Sequence, residues 1–250
     1  SLLLSACEET EDIATEVENP AGFEEIASFK LGDEGAAEIS AFDPNSQRLF
    51  VVNNSGSSRI DVVDLSDPSN PEIGQPIDAS GLGGGVNSVA VKNSLLAMAV
   101  ENDDKQANGQ VVVFDASSLV EVTRVTVGAL PDMVTFSPDG NYILVANEGE
   151  PDDDYENDPV GSISIIEVNN GYAVTTLGFD KFQSEMAALM EQGLRVFGLN
   201  ASLMQDLEPE YITISEDSQT AWVAIQENNA LARVDIASKQ ITDIFPFGFK

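Results

Sequence analysis

The segment 131–168 limits how this chain can fold more than any other feature, because its pattern occurs four times. It consists of an alternating apolar segment, a Ser-Pro-Asp-Gly turn, a second apolar segment, an acidic loop and a third alternating segment. Short segments with a period of two, separated by turn residues, indicate an antiparallel meander of β-strands. The segment is therefore interpreted as one small antiparallel sheet.

The four copies align on the turn that follows the first strand. The aligned first stretches are 38–44, 87–91, 132–138 and 210–217. The predicted second strands are 49–54, 95–102, 143–148 and 221–228. The predicted third strands are 59–65, 110–115, 162–168 and 230–236, and the fourth strands are 72–79, 119–127, 172–177 and 240–245.

The spacing of the copies indicates a β-propeller. Phe42 and Val91 are 49 residues apart, Val91 and Phe136 are 45 apart, and Phe136 and Ile214 are 78 apart. Four-stranded propeller blades repeat at about 40–50 residues, so about 30 residues are inserted before the fourth copy. A two-sheet sandwich has similar short strands but does not predict self-similarity. The sequence predicts an all-β protein, a β-propeller of four-stranded antiparallel blades, with about four blades covered.

The boundaries follow from this interpretation. Residues 23–250 are assigned to the propeller. Residues 23–31 alternate like a strand before the first copy, and such a strand closes a propeller by joining the last blade. Because the sequence stops soon after the fourth copy, we expect a fragment of a larger propeller of roughly seven blades that continues beyond residue 250.

Composition excludes several kinds of chemistry. The chain has no histidine and one cysteine, which excludes Ser-His-Asp and Cys-His catalysis, histidine metal sites and intrachain disulfides. Eleven basic and 43 acidic residues give a net charge of −32. Such a charge repels nucleic acid and anionic membrane surfaces. Selection for solubility would also produce an acidic surface, without any specific role in cation binding.

The cysteine has the setting of a bacterial lipobox. Cys7 ends the sequence Leu-Ser-Ala-Cys after an apolar stretch, and small residues before the cysteine suit a signal peptidase. We expect residues 1–6 to be a signal-peptide remnant, Cys7 to be the lipidated residue, and 7–22 to be an acidic tether. The expected location is the bacterial cell envelope, at the outer membrane or cell surface, with membrane contact through the lipid alone.

Three further segments are given structural interpretations. The glycine-rich stretch 81–85 lacks phosphate-loop spacing and is interpreted as a blade-to-blade crossover. The loop 148–158 has seven carboxylates in eleven residues, which fits a solvated hairpin loop or an oxygen-lined cation site, but not an EF-hand. Residues 180–192 are predicted to form a helix with Asp180 as its N-cap and Gly193 at its end.

Polar residues at equivalent positions of the first strands suggest a cation site. In a propeller, first strands line the central channel, and equivalent residues lie at one height. The residues four before the aligned apolar position are Glu38, Asn87, Asp132 and Glu210. Two explanations fit this pattern. The polar residues hydrate the channel mouth, or they form a calcium-type site, in which a hard cation relieves the repulsion between the carboxylates. Glu148 and Glu208 are predicted supplementary ligands.

Three motifs carry a resemblance to a known family. ANEGEP (146–151), DLEPEYI (206–212) and QENNALA (226–232) closely resemble segments of bacterial choice-of-anchor I propeller proteins, which are relatives of YVTN-type repeat propellers. The family is similar to the mesenchyme-specific cell surface glycoprotein. The resemblance covers 23–250 and implies an exported propeller that is anchored at the cell surface.

Two functions remain open on the sequence. The first is a surface module, expected to be monomeric, that binds a small molecule or a protein on a propeller face and takes up calcium. The alternative is a metal-dependent hydrolase, since some relatives are described as alkaline phosphatase-like or esterase-like. No catalytic set carries over from the family to residues of this chain.

Overall fold

The computed structural model describes residues 22, 24–32, 36–198 and 201–249. In these ranges the chain forms four antiparallel sheets, each built from one consecutive stretch of chain. The first sheet contains β1 (Ala36–Asp43), β2 (Arg48–Asn53), β3 (Arg59–Asp64), β4 (Glu72–Ile73) and β5 (Ile77–Asp78). The second contains β6 (Val86–Lys92), β7 (Leu95–Val100), β8 (Asn108–Asp115) and β9 (Glu121–Ala129). The third contains β10 (Pro131–Phe136), β11 (Tyr142–Asn147), β12 (Ser162–Glu167) and β13 (Ala173–Leu177). The fourth contains β14 (Ile212–Ile214), β15 (Thr220–Ile225), β16 (Ala230–Asp235) and β17 (Gln240–Pro246).

Each sheet is a meander whose strands pair in chain order. The predicted four-stranded antiparallel blades are therefore confirmed. The predicted fourth strand of the first blade, 72–79, is divided into β4 and β5, and both pair with β3. Gly74 and Pro76 lie between the two parts, and these are residue types that weaken a strand or remove a ladder hydrogen bond.

Apolar layers between neighbouring sheets hold the blades together. Along β11, Ile143 and Val145 pack against the second sheet, while Leu144 packs against the fourth. The first and second sheets share a third layer that includes Phe50 and Leu96. Alternating side chains thus bury both faces of the middle sheets, and removing this apolar surface from water is the main stabilising term. Sheets that pack face to face in chain order form the blades of a propeller.

The first strands of neighbouring sheets lie side by side: β1 contacts β6, β6 contacts β10, and β10 contacts β14. The first three of these strands have a register shift near their start, at 36–40, 86–88 and 131–133. A bulge of this kind adds unpaired residues and turns their side chains. Glu38, Asn87 and Asp132 all fall at these shifts.

The insertion before the fourth sheet contains a 3-10 helix (Asp180–Glu185), α1 (Met186–Glu191) and α2 (Leu203–Asp206). The single helix predicted over 180–192 therefore begins with a tighter 3-10 turn. The predicted N-cap role of Asp180 is wrong, because Phe179 occupies that position and no side chain caps the helix. Phe179 has no side-chain oxygen with which to accept from the first backbone N–H groups.

The apolar face of the insertion packs on the core between the third and fourth sheets. Phe182 and Leu189 are buried there, and Met186 is partly buried against them. Met190, in the same helix, is 40% exposed. Gly193 has a φ of 107° and follows α1, as predicted for the end of this helix.

The predicted strand 23–31 is not formed over 24–31, which has no regular secondary structure. A strand requires a partner for its ladder of hydrogen bonds, and no strand within the described residues pairs with this segment. Instead, the carbonyl of Leu31 accepts from Asn53 Nδ2 at 3.2 Å and from an Arg59 guanidinium nitrogen at 3.4 Å. These two bonds hold the end of the segment against the first sheet.

The predictions for residues 1–6, for Cys7 and for the tether 7–22 lie outside the described residues, apart from Gly22. No helix in the described ranges is long and apolar enough to cross a membrane.

Candidate functional site between the third and fourth blades

Carboxylate side chains gather where the first strands of the third and fourth sheets begin. Asp132 lies at the bulge of β10. Glu148 follows β11, and its N–H donates to the carbonyl of Leu130 at 2.9 Å, which keeps it beside the start of β10. Glu210 precedes β14, and its N–H donates to the carbonyl of Ala224 at 3.0 Å. Ordinary sheet pairing thus places all three carboxylates at the same end of the two blades.

Burial and mutual repulsion raise the pKa values of these carboxyls. Burial is the main cause for Glu148, whose pKa rises to about 8, and the charges of Asp132, Glu150, Glu208 and Glu210 add to it. Burial also raises the pKa of Glu210 to about 7, with repulsion from Asp132. The pKa of Asp132 is raised by burial and by Glu150. The site therefore retains protons at a pH at which exposed glutamates have lost theirs.

Glu208 and Glu227 form a hydrogen-bonded carboxyl pair. Burial is the largest cause of the raised pKa of Glu208, followed by its hydrogen bond to Glu227 and the charge of that residue. Glu208 therefore keeps its proton to a higher pH than an exposed glutamate does, and a protonated carboxyl can donate to a neighbouring carboxylate. Both side chains line the pocket that opens beside them.

The structure brings together four of the six predicted metal ligands, namely Asp132, Glu148, Glu208 and Glu210. Asn87 lies at their edge, because its Nδ2 donates to the carbonyl of Pro131 at 3.2 Å. Glu38 is in the first sheet, where its carboxylate accepts from Asn54 Nδ2 at 3.4 Å. Within the described ranges, no three carboxylates lie close enough to hold a metal ion.

A pocket of about 470 Å³ opens beside these carboxylates. It lies between the acidic loop of the third blade, α2, the end of the 193–198 segment and the turn that joins β15 to β16. Its lining residues are Pro151, Tyr155, Asp158, Arg195, Phe197, Gly198, Gln205, Asp206, Glu208 and Glu227. The pocket thus combines carboxylates, one guanidinium and two aromatic rings.

Asp206 and Asn228 hold the wall of this pocket. Asp206 is 8% exposed, and its Oδ1 accepts from the backbone N–H of Phe197 at 2.8 Å and of Gly198 at 2.5 Å. Asn228 is 1% exposed and donates through Nδ2 to the carbonyl of Asp206 at 2.7 Å and to that of Arg195 at 3.0 Å. The N–H of Glu208 donates to Asn228 Oδ1 at 3.2 Å. The loop 195–198, α2 and the carboxyl pair are therefore fixed relative to one another.

The acidic loop is tied to the same wall. Gln205 Nε2 donates to the carbonyl of Asp158 at 3.1 Å, and the N–H of Gly161 donates to the carbonyl of Met204 at 3.0 Å. Gln205 Oε1 accepts from Ser202, which completes a capping box at the start of α2. The hairpin loop predicted as solvated thus has its C-terminal end fixed on the insertion.

Sequence reasoning missed several residues of this site, namely Glu150, Asp158, Arg195 and Glu227. Glu150 and Glu227 lie in two of the three motifs, so the motifs themselves were the available signal. Asp158 was counted as one charge of an acidic loop. Arg195 follows a short helix and belongs to no repeat, and no periodicity marks it.

The fold and this pocket define the class of protein: a β-propeller with an acid-lined site between two adjacent blades. A model of the choice-of-anchor I domain matches residues 38–250. The chain belongs to the choice-of-anchor I domain family, in agreement with the resemblance of its three motifs. Domains of this family are typical of extracellular or surface proteins of bacteria. A comparison with curated proteins found no match.

Solved structures share the fold at low sequence identity. A chain of Kuenenia stuttgartiensis hydrazine synthase is 16% identical, covers 82% of this chain and 61% of its own length, and gives a TM-score of 0.56. A chain of a nidogen/laminin complex is 12% identical, with 83% and 62% covered and a TM-score of 0.50. A chain of a eukaryotic initiation factor is 15% identical, with 84% and 42% covered and a TM-score of 0.51. The chain thus spans less than two thirds of each of these chains, and identities this low show the fold alone.

The three motifs that resemble family segments meet at this one pocket. Pro151 comes from the first motif, Asp206 and Glu208 come from the second, and Glu227 comes from the third. They are far apart in sequence and are brought together by the packing of the third blade, the insertion and the fourth blade.

Proposed function

We propose that the protein is a ligand-binding module of the bacterial cell envelope, anchored through Cys7, and that the acidic pocket between the third and fourth blades is its binding site. The observation that carries this proposal is the convergence of all three family motifs on one concave site. Concave sites with a few convergent polar groups and perturbed pKa values are the usual places where proteins bind ligands. A rigid propeller face supplies such a site without requiring a catalytic set.

A calcium-type cation is the proposed ligand of the four carboxylates Asp132, Glu148, Glu208 and Glu210. Among the described residues, these carboxylates form no ion pair with a lysine or arginine. The observed ion pairs are Arg59–Asp61, Arg124–Glu121, Arg233–Asp243 and Lys239–Glu167. Calcium requires oxygen ligands, and its binding would displace the protons that the raised pKa values let these carboxyls retain. Binding would draw the carboxylates closer together than they lie in the structure.

Calcium titration of the full chain tests this proposal. Calcium should raise the thermal unfolding midpoint, because a cation that binds the folded state stabilises it by mass action. In Asp132→Asn/Glu210→Gln the rise should disappear. The double variant starts from a different midpoint, since it lacks the repulsion, so the calcium-dependent increment is the quantity compared.

The matched control is Asp153→Asn/Asp154→Asn, which removes two exposed charges from the acidic loop of the same molecule. This variant should respond to calcium as the parent does. If the Asp132→Asn/Glu210→Gln variant retains the full increment, or if both double variants lose it equally, the cation site is refuted.

A further inference from the structure

The acidic pocket adjoins a second cavity of about 660 Å³ beside the acidic loop. The two cavities share Tyr155, Asp158, Phe197, Gly198 and Gln205, so they adjoin and form one cleft. Arg195 and Glu227 line one end, and Glu156 and Ala201 line the other. Adjoining cavities of about 470 and 660 Å³ have room for a ligand of several linked units and are far larger than a single ion.

Two aromatic rings stand at the middle of the cleft with most of their surface in water. Tyr155 is 70% exposed and Phe197 is 66% exposed. Leaving such rings in water forfeits the free energy that burial would contribute. The backbone at both residues is held in place: Tyr155 N–H donates to the carbonyl of Asp152 at 3.0 Å, and Phe197 N–H donates to Asp206. The chain thus fixes the backbone of two aromatic residues beside a cavity and leaves their rings uncovered.

The polar groups of the cleft include both donors and acceptors. Asp158 Oδ1 is buried and has no hydrogen-bond partner among the described residues, which is costly for a carboxylate oxygen. Within the described part of the chain, the Arg195 guanidinium makes no ion pair, although carboxylates line the same pocket. A purely cationic ligand would meet Arg195, and a purely anionic one would meet the carboxylates.

We infer that this cleft binds a neutral carbohydrate chain. A sugar ring has an apolar C–H face that packs on an aromatic ring, and its hydroxyls both donate and accept, which matches the groups around Tyr155 and Phe197. The inference rests on the proposed binding function but not on the cation, because the carbohydrate contacts differ from the four proposed cation ligands except at Glu208.

Binding of short neutral oligosaccharides of glucose, galactose, mannose, xylose or N-acetylglucosamine to the full chain tests the inference. Titration calorimetry in buffer containing EDTA keeps the result independent of the cation proposal. We expect at least one of these sugars to bind, and Phe197→Ala or Tyr155→Ala to weaken that binding about tenfold. Phe197→Trp, which keeps a ring face, should retain binding, and this separates ring packing from a structural role.

Phe247→Ala is the matched control, because Phe247 is 63% exposed but lies outside the cleft. It should bind the sugar as the parent does. The inference is overturned if no sugar of the set binds, or if Phe197→Ala and Phe247→Ala behave alike. It is also overturned if a poly-lysine peptide binds in a Phe197-dependent way while the sugars do not, since the cleft would then be an acidic peptide site.

Discussion

The buried side chain of Asn228 connects three separate parts of the candidate site. Through Nδ2 it donates to Arg195 and Asp206, and through Oδ1 it accepts from the backbone of Glu208. The bonds to Asp206 are buried and those to Arg195 and Glu208 are partly buried, so removal of the amide would leave the Asp206 groups without this partner inside the protein. An unsatisfied buried polar group costs about 1–3 kcal/mol, and more when it is charged.

Asn228→Ala should therefore lower the free energy of unfolding by about 3 kcal/mol. The reason is that the Asp206 carboxylate loses one of its N–H donors, and two carbonyls lose theirs. Urea unfolding followed by tryptophan fluorescence measures the change, since Trp222 lies in β15 of the same sheet. Asn45→Ala is the matched control, because the Asn45 amide bonds Ser94 in an exposed position, and its loss should cost within about 0.5 kcal/mol. Equal effects of the two substitutions would contradict the role assigned to Asn228.

The repeat pattern was sufficient to predict some residues of the site and not others. Asp132 and Glu210 occupy equivalent positions in two copies, so alignment of the copies places them at the same end of neighbouring blades. Glu227 contributes through its contact with Glu208, and Asp158 through the orientation of one oxygen, neither of which leaves a periodic signal. The apolar neighbours that bury Glu148 also belong to the packed fold rather than to its local sequence.

At the scale of elements, close backbone approaches decide where glycine is required. In the crossover between the first two sheets, Gly84 N–H donates to the carbonyl of Glu101 at 3.1 Å, and Glu101 N–H donates to that of Gly85 at 3.0 Å. A Cβ added at Gly83 would lie 2.1 Å from the carbonyl oxygen of Glu101, whereas one added at Gly81 would meet nothing within 4 Å. The sequence identified this stretch as a crossover, but it could not rank its glycines.

Gly83→Ala should lower the free energy of unfolding by about 2–3 kcal/mol, because the second sheet must move away from the loop to accept the methyl group. Gly81→Ala, in the same loop, should leave stability unchanged or raise it slightly by restricting the unfolded chain. Thermal unfolding of the two variants beside the parent provides the measurement. A larger loss for Gly81→Ala than for Gly83→Ala would show that the crossover does not pack as described.

Strands were predicted more successfully than the insertion for a physical reason. Each strand position is constrained by two neighbouring strands and by alternation between two buried faces. The apolar side chains of Ile143 and Leu144 therefore predict a strand that is buried on both faces. The insertion has one packed face and belongs to no repeat. Phe179 occupies its N-cap position, so the sequence lacks the capping side chain that would mark the start of a helix. The segment 24–31 alternates like a strand, yet alternation alone cannot supply a partner.

At the scale of the whole molecule, two sets of carboxyls give stability opposite dependences on pH. Serine hydroxyl and backbone hydrogen bonds lower the pKa values of Asp78, Asp115 and Asp235 below 3.8. Groups with a lowered folded pKa stabilise the protein above their unfolded pKa and lose that contribution as the pH falls through the folded value. The buried carboxyls at the site behave in the opposite way, because the folded state binds their protons more tightly than the unfolded state does.

Stability should therefore be greatest in mildly acidic solution and should fall as the pH rises. Glu148 and Glu210 have folded pKa values of about 8 and about 7 against an ordinary value of 4.5, so the folded state holds more protons than the unfolded state between these limits. The slope of the free energy of unfolding against pH is proportional to the number of protons bound by the unfolded state minus the number bound by the folded state. This difference is negative across the window, so the free energy of unfolding must decrease as the pH rises.

Urea unfolding of the full chain at intervals between these pH limits, without divalent cations, measures the slope. Glu148→Gln/Glu210→Gln removes two of the carboxyls with raised pKa values and should reduce the slope, and Glu208 should maintain part of it. Asp153→Asn/Asp154→Asn, which changes the net charge equally at two exposed loop positions, should keep the slope of the parent. A parent whose stability is constant or rises across this window would mean that these carboxyls are already ionised in the folded state. The acidic end of the two blades would then lack the buried, proton-retaining character that the structure gives it.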